Sequence, residues 1–170
     1  MKPPNSFWAS FGFAGRGVWH SMRYQRNLRV HVSIALIAVT LGWLIGLSSL
    51  EWALVVLTMA SVLTLELVNT GIEALVDLVS PGQHHLAAVA KDAAAGAVLV
   101  AAAASVVVGL LVYGPQLGHF GQRFMIRWQE SPAVIVAWGV VLALCYVVIW
   151  GVVPARKRRE GGQNRIGGTP

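Results

Sequence analysis

ELVNTGIEALVD, residues 66–77, sets three carboxylates and an amide (Glu66, Asn69, Glu73 and Asp77) inside a run that is otherwise apolar from about residue 51 to residue 79. The run meets no breaker before Ser80-Pro81-Gly82. It is longer than the about 20 residues a helix needs to cross a bilayer, so its last turns are expected to project into the membrane interface. At about 100° per residue, the four polar positions fall within an arc of roughly 80°, one polar stripe on an apolar helix. Glu73 and Asp77 lie near the interfacial end. Glu66 lies about 10 Å deeper, at about 1.5 Å rise per residue. Ionisable groups at such depth are expensive and mark function more often than packing. The competing structural reading is that these carboxylates pair with arginines and only hold helices together. It is strongest for Asp77, which sits near water at a helix end where the dipole disfavours an anion and a cation is expected beside it.

The rest of the chain agrees with a membrane setting. Of 170 residues, 56% are hydrophobic and only 12% charged, about half the charge of an ordinary soluble domain. An all-α membrane protein with one compact membrane domain is predicted. Upstream, Phe7, Phe11, Ala14, Val18 and Met22 recur at spacings of three and four, with arginines between them. This predicts an N-terminal amphipathic helix over residues 7–29 lying on the membrane surface, with Trp8 and Trp19 at the interface. No uninterrupted apolar core precedes Val30, so a cleavable signal peptide is not expected. A first span is predicted over residues 30–47 and a tight turn at Ser48-Ser49, before the second span. A polar loop over 80–91 follows, with His84, His85 and Lys91. The third span, 92–112, is rich in alanine and glycine, which let helices approach closely. Tyr113-Gly114-Pro115 ends it. A polar connection over 114–131 leads to a fourth span over 132–153, and the tail, 154–170, is basic, glycine-rich and expected to be disordered.

The single cysteine, Cys145, excludes an intrachain disulfide and a cysteine metal cluster. The net charge is +6, but the basic residues lie between apolar spans, a pattern of membrane orientation rather than nucleic-acid binding. Eleven of the thirteen lysines and arginines fall on the side of the two termini and the 80–91 loop, leaving Arg123 and Arg127 opposite. The positive-inside rule therefore predicts a multi-pass protein with both termini cytoplasmic.

A polar stripe graded from interface into membrane suits two chemistries. Shallow carboxylates can hold a divalent cation and the phosphates it carries, since magnesium prefers oxygen ligands and takes few from protein. A deep carboxylate can accept the proton of a lipid hydroxyl. Lys91-Asp92 reads either as a plain helix start, with Asp92 favourable to the dipole and Lys91 snorkelling, or as a phosphate-binding cation with its partner. For at least one of His84 and His85 a solvated loop histidine is the simpler reading. Neither a Walker GxxxxGK[ST] loop nor the protein-kinase signature set occurs. GFAGRG, residues 12–17, follows no strand and reads as close helix packing rather than a phosphate cradle. An ion or proton pathway is disfavoured because the stripe covers only half of one span.

ELVNTGIEALVDLVSPGQHHLAAVAKDAAAGAVLV, residues 66–100, resembles the signature of the small prokaryotic diacylglycerol kinase family, which includes the undecaprenol kinases of Gram-positive bacteria. RNLRVH, residues 26–31, resembles a segment of the undecaprenol kinase branch, and Asn69-Thr70, DLVSP and His31 lean the same way. The resemblance covers about residues 7–112. It implies a kinase core over 7–113, with the connection 114–131, the span 132–153 and the tail 154–170 outside it. It implies a homotrimeric enzyme of the bacterial cytoplasmic membrane that moves the γ-phosphate of ATP, with Mg2+, onto the hydroxyl of undecaprenol or diacylglycerol. Carried over by position, Glu66 resembles the catalytic base and Asn69 a residue orienting groups near the reacting hydroxyl. Glu73 resembles a metal carboxylate that also bears on ATP. Gly82, Gln83 and His84 match a nucleotide-contacting loop, and Lys91 and Asp92 a phosphate-contacting pair. The family's second metal carboxylate falls at Gln25, which offers a carbonyl oxygen without charge. That departure favours the competing reading, a weak or inactive relative serving as a membrane scaffold. The retained Glu66, Asn69, Glu73, Lys91 and Asp92 favour the kinase.

Overall fold

The computed structural model describes residues 7–82 and 84–151. Six α-helices account for most of them, with no strand among the described residues: α1 Phe7–Tyr24, α2 Arg26–Ile45, α3 Ser49–Val79, α4 His85–Tyr113, α5 Phe120–Glu130 and α6 Pro132–Gly151. Four segments are long and apolar enough to cross a membrane. They begin with α2, α3, α4 and α6, so the chain is an all-α protein of the membrane class.

Several boundaries differ from the expected ones, each for a local reason. The surface helix ends at Tyr24 rather than at residue 29, because Gln25 adopts extended backbone (φ −95°, ψ 114°) and α2 starts directly after it. The first span ends at Ile45. Gly46 takes a left-handed φ of 71°, and the Gly46 and Leu47 amides both return to the Gly42 carbonyl, a glycine-terminated helix end. Ser48 then caps α3: its side chain accepts from the Glu51 amide while Glu51 reaches back to the Ser48 amide, a capping box. The polar loop is shorter than expected. His84 caps α4 by accepting the Leu86 amide at its Nδ1, 3.2 Å away, so His85 and Lys91 lie in α4 and not in the loop. The connection after Tyr113 is a short 3-10 turn followed by α5. The last expected residues of the fourth span, 152–153, and the tail fall outside the described residues.

α3 packs along α4, while α2 lies between α3 on one side and α6 on the other. A small apolar core closes one end of the bundle, where Ile45, Leu47, Val55 and Val112 are buried together. Gly42 permits the tight approach there, since a Cβ on it would come within 2.8 Å of Leu47 and 3.0 Å of the Trp52 ring. The Tyr113 hydroxyl donates to the Ala38 carbonyl at 2.8 Å, tying α4 to α2. Two indoles tie α6 to α2: Trp138 Nε1 donates to Thr40 Oγ1 at 3.2 Å, and Trp150 Nε1 donates to Ser33 Oγ at 3.3 Å. The pairing of 138 with 40 and 150 with 33 makes α6 antiparallel to α2. The end of α6 therefore lies beside the joint between α1 and α2.

Candidate functional site

The site grows from the inner half of α3. Glu66 and Asn69 are buried, at 2% and 8% exposure, although both are polar and both sit in a membrane-class helix. They are buried because α2 and the α1–α2 joint cover them. His31 of α2 brings its Nε2 to 3.3 Å from Glu66 Oε1, yet that oxygen has no hydrogen-bond partner. The contact is therefore one of proximity, with the acceptor still open. Two turns further along α3, Glu73 is held from two sides. Asn69 Nδ2 donates to its Oε1 at 2.8 Å, and Gln25 Nε2 donates to its Oε2 at 3.3 Å. Asn69 Oδ1 is buried without a partner. A buried acceptor left open costs stability, so this oxygen is available to a further donor or cation.

These residues fit a hard divalent cation such as Mg2+. The donors are all oxygens: the Glu73 carboxylate, the open Asn69 Oδ1, and the Gln25 amide oxygen, which would reach a cation if the amide turned over and gave up its bond to Glu73. Among the described residues no group of three or more histidine, cysteine, aspartate or glutamate side chains could hold a metal.

Beyond Glu73 the polar stripe turns to a different neighbour. Asp77 is met from α4 by Lys91, Nζ to Oδ1 at 2.5 Å, which supplies the cation that the helix end calls for. Both side chains are partly exposed, so the pair itself is worth at most about 1 kcal/mol. Asp77 therefore holds Lys91 only loosely. The pair borders an open pocket of about 600 Å³, lined also by Ser80, Gly82, His84 and His85. Asp92 is exposed and does not line this pocket, so Lys91 works with Asp77 rather than with its sequence neighbour. Gln83 lies outside the described residues.

The stripe therefore divides. Glu66, Asn69, Glu73 and Gln25 form one cluster under α1 and α2; Gly82, His84 and Lys91 form a second, shallower one with Asp77. Sequence reasoning gave no role to Arg29, which is buried and whose Nη1 donates to the Met22 and Arg23 carbonyls at 3.1 and 3.0 Å. The sequence placed Arg29 at the end of the expected surface helix, where it read as one more interfacial cation.

The profile of the family described as prokaryotic diacylglycerol kinase matches residues 12–113. A protein of Bacillus subtilis named undecaprenol kinase is 45% identical over 113 residues, which cover 66% of this chain and 92% of that protein. A protein of Synechocystis sp. named diacylglycerol kinase is 43% identical over 109 residues, covering 64% of this chain and 62% of that protein, a little under two thirds of its length. No solved structure matches. With the family profile spanning more than half of its residues, the chain belongs to the prokaryotic diacylglycerol kinase family.

Proposed function

We propose that this protein is an ATP-dependent lipid kinase of the bacterial cytoplasmic membrane, with undecaprenol as the preferred acceptor and diacylglycerol as the alternative. The observation that carries this reading is the pair of open, buried acceptors, Glu66 Oε1 and Asn69 Oδ1, beside a carboxylate held for a cation. Glu66 takes the proton of the lipid hydroxyl as its oxygen bonds to the γ-phosphorus. The bond from γ-phosphorus to the bridging oxygen breaks, ADP leaves, and Glu66 later gives its proton to water. His31, 3.3 Å away, keeps Glu66 oriented from α2. Asn69 positions Glu73 through its amide and offers its oxygen to the reacting groups. Glu73 and Gln25 would hold Mg2+, which when bound neutralises phosphate charge and orients the transferring group. Lys91, released from Asp77, takes phosphate charge, and Gly82 and His84 border the nucleotide, to which Gln83 is assigned by resemblance. Asp92 is assigned to the nucleotide by resemblance alone.

The depth order supports the assignment: nucleotide groups lie toward the interface and the base lies about 10 Å deeper along α3, where a lipid headgroup can reach. The basic-residue split supports a cytoplasmic face for both termini. The kinase core is residues 7–113, with 114–131 an external connection, 132–153 an added span and 154–170 a tail. A homotrimer is proposed from family membership.

The test is phosphotransfer from labelled ATP by the purified protein, offered undecaprenol and diacylglycerol side by side. Label in undecaprenol above diacylglycerol is the expected result. Label in neither would overturn the kinase reading and favour the scaffold to which Gln25 points.

A further inference from the structure

The added span reaches the kinase site through one residue. Gln25 is the only residue between α1 and α2, so the angle between these helices decides where its side chain points. Arg29 sets that angle. Its guanidinium donates to the Met22 and Arg23 carbonyls, which belong to the last turn of α1 and have no partners inside that helix. A cation there also opposes the α1 dipole favourably. Arg29 is in turn held from α6. Its Cζ lies 5.6 Å from the Trp150 ring centroid, within cation–π range. The Trp150 indole is fixed by its bond to Ser33 Oγ, and Ser33 Oγ itself donates to the Arg29 carbonyl at 2.9 Å. The contacts run without a gap from Trp150 through Arg29 and the α1–α2 joint to Gln25 and Glu73.

We propose that Trp150 of the fourth span is a positioning residue for the nucleotide site: it holds Arg29 in the grip on α1 that aims Gln25 at Glu73. This rests on the kinase reading for its functional consequence, but not for its structural one. The span outside the family's core thus stiffens the one joint where this chain carries an amide in place of a carboxylate. A fixed approach matters more for a neutral ligand than for a charged one, because no long-range attraction draws it to the cation.

The test uses the full chain in lipid nanodiscs. Three variants are compared: Trp150→Leu, which removes the ring and the donor; Trp150→Phe, which keeps a ring face and removes the donor; and Trp138→Leu. Trp138 ties α6 to α2 in the same manner at Thr40 but lies far from the joint. Two readouts are taken: kinetics in magnesium-ATP, and amide hydrogen exchange over residues 22–29. Trp150→Leu is expected to raise KM for magnesium-ATP about three- to tenfold, the range that a partly desolvated cation–π contact supports. kcat should stay within about twofold, and exchange at the joint should quicken by a similar factor. Trp150→Phe should lie between this and the parent, and Trp138→Leu should change neither readout. Equal effects from Trp138→Leu and Trp150→Leu would mean that α6 acts only by general packing, which overturns the proposal. Unchanged joint exchange in both Trp150 variants overturns it as well. If Trp150→Leu does not assemble, Trp150→Phe decides by the same two readouts. Absence of phosphotransfer in the parent protein would sink the kinase reading alone, since exchange still reports whether Trp150 holds the joint.

Discussion

The two ends of α2 are built from the same parts and do different things. At one end Arg29 caps the last carbonyls of α1 and lies under Trp150. At the other, Arg123 donates to the Ile45 carbonyl, the end of α2 itself, while Arg127 lies 5.5 Å from the Trp43 ring centroid, and Trp43 meets Trp138. Each end thus joins an arginine, a helix terminus and tryptophans. They differ in what is left over. At the Arg123 end the carboxylate Glu51 is consumed by the capping box at 2.7 Å. At the Arg29 end Glu66 and Asn69 keep buried acceptor oxygens open. The arginine–tryptophan device is a fastening common to both ends, and the proposed function places chemistry at the end where acceptors are spare.

The hardest challenge to that contrast is Glu66→Gln. It keeps the shape of the side chain and removes the proposed base. Turnover should fall roughly 10²–10⁴-fold, the usual worth of general-base catalysis, while nucleotide affinity survives. Normal turnover with loss of assembly would make Glu66 a packing residue, no different in kind from Glu51. Glu73→Gln should act on another parameter. An opposite charge about 4 Å from a cation is worth about 1 kcal/mol or more, so losing the proposed metal carboxylate should raise KM for magnesium-ATP about fivefold or more, with a smaller change in kcat. Measuring both variants at saturating and limiting nucleotide separates the deep role from the shallow one.

Gln25→Glu sharpens the comparison in the opposite direction, by adding function. It replaces the amide that donates to Glu73 with a second anion beside the first. Without magnesium the two carboxylates repel and thermal stability should drop. With magnesium they share a cation, and the magnesium concentration for half-maximal phosphotransfer should fall about tenfold. An unchanged magnesium requirement would place the cation elsewhere.

Much of this was legible in the chain. The helical stripe from Glu66 to Asp77 is a matter of period, and period survives folding. The cation beside Asp77 was required by the dipole and is Lys91. What could not be read was partnership across the fold. Lys91 belongs to Asp77, fourteen positions away, rather than to adjacent Asp92, because neighbours in sequence point to different sides of a helix. The joint at Gln25 was hidden because glutamine is as good a helix former as its neighbours, so nothing in the residue type marks a break there. A single extended residue breaks the backbone without breaking the pattern. The role of Arg29 was hidden for a related reason: its acceptors are backbone carbonyls, which every residue carries. The short loop before α4 was hidden because His84 reads as a polar loop residue, whereas its Nδ1 starts a helix by accepting an amide.

The smallest effect is expected at the end without spare acceptors. Arg123→Gln removes the guanidinium from the α2 terminus but leaves an amide that can still donate to the Ile45 carbonyl, and water can serve the rest. A cation at a partly buried helix C-terminus is worth up to about 2 kcal/mol, and the amide keeps part of it, so thermal unfolding in detergent should begin only slightly earlier. Leu47 and Val55 remain buried beneath, and the joint at Gln25 is about 30 Å away along the twenty residues of α2. KM and kcat should therefore match those of the parent. A rise in KM for magnesium-ATP in this variant would break the comparison. It would mean that α2 moves as one rigid rod, with the fastening at one end setting the geometry of the carboxylates at the other.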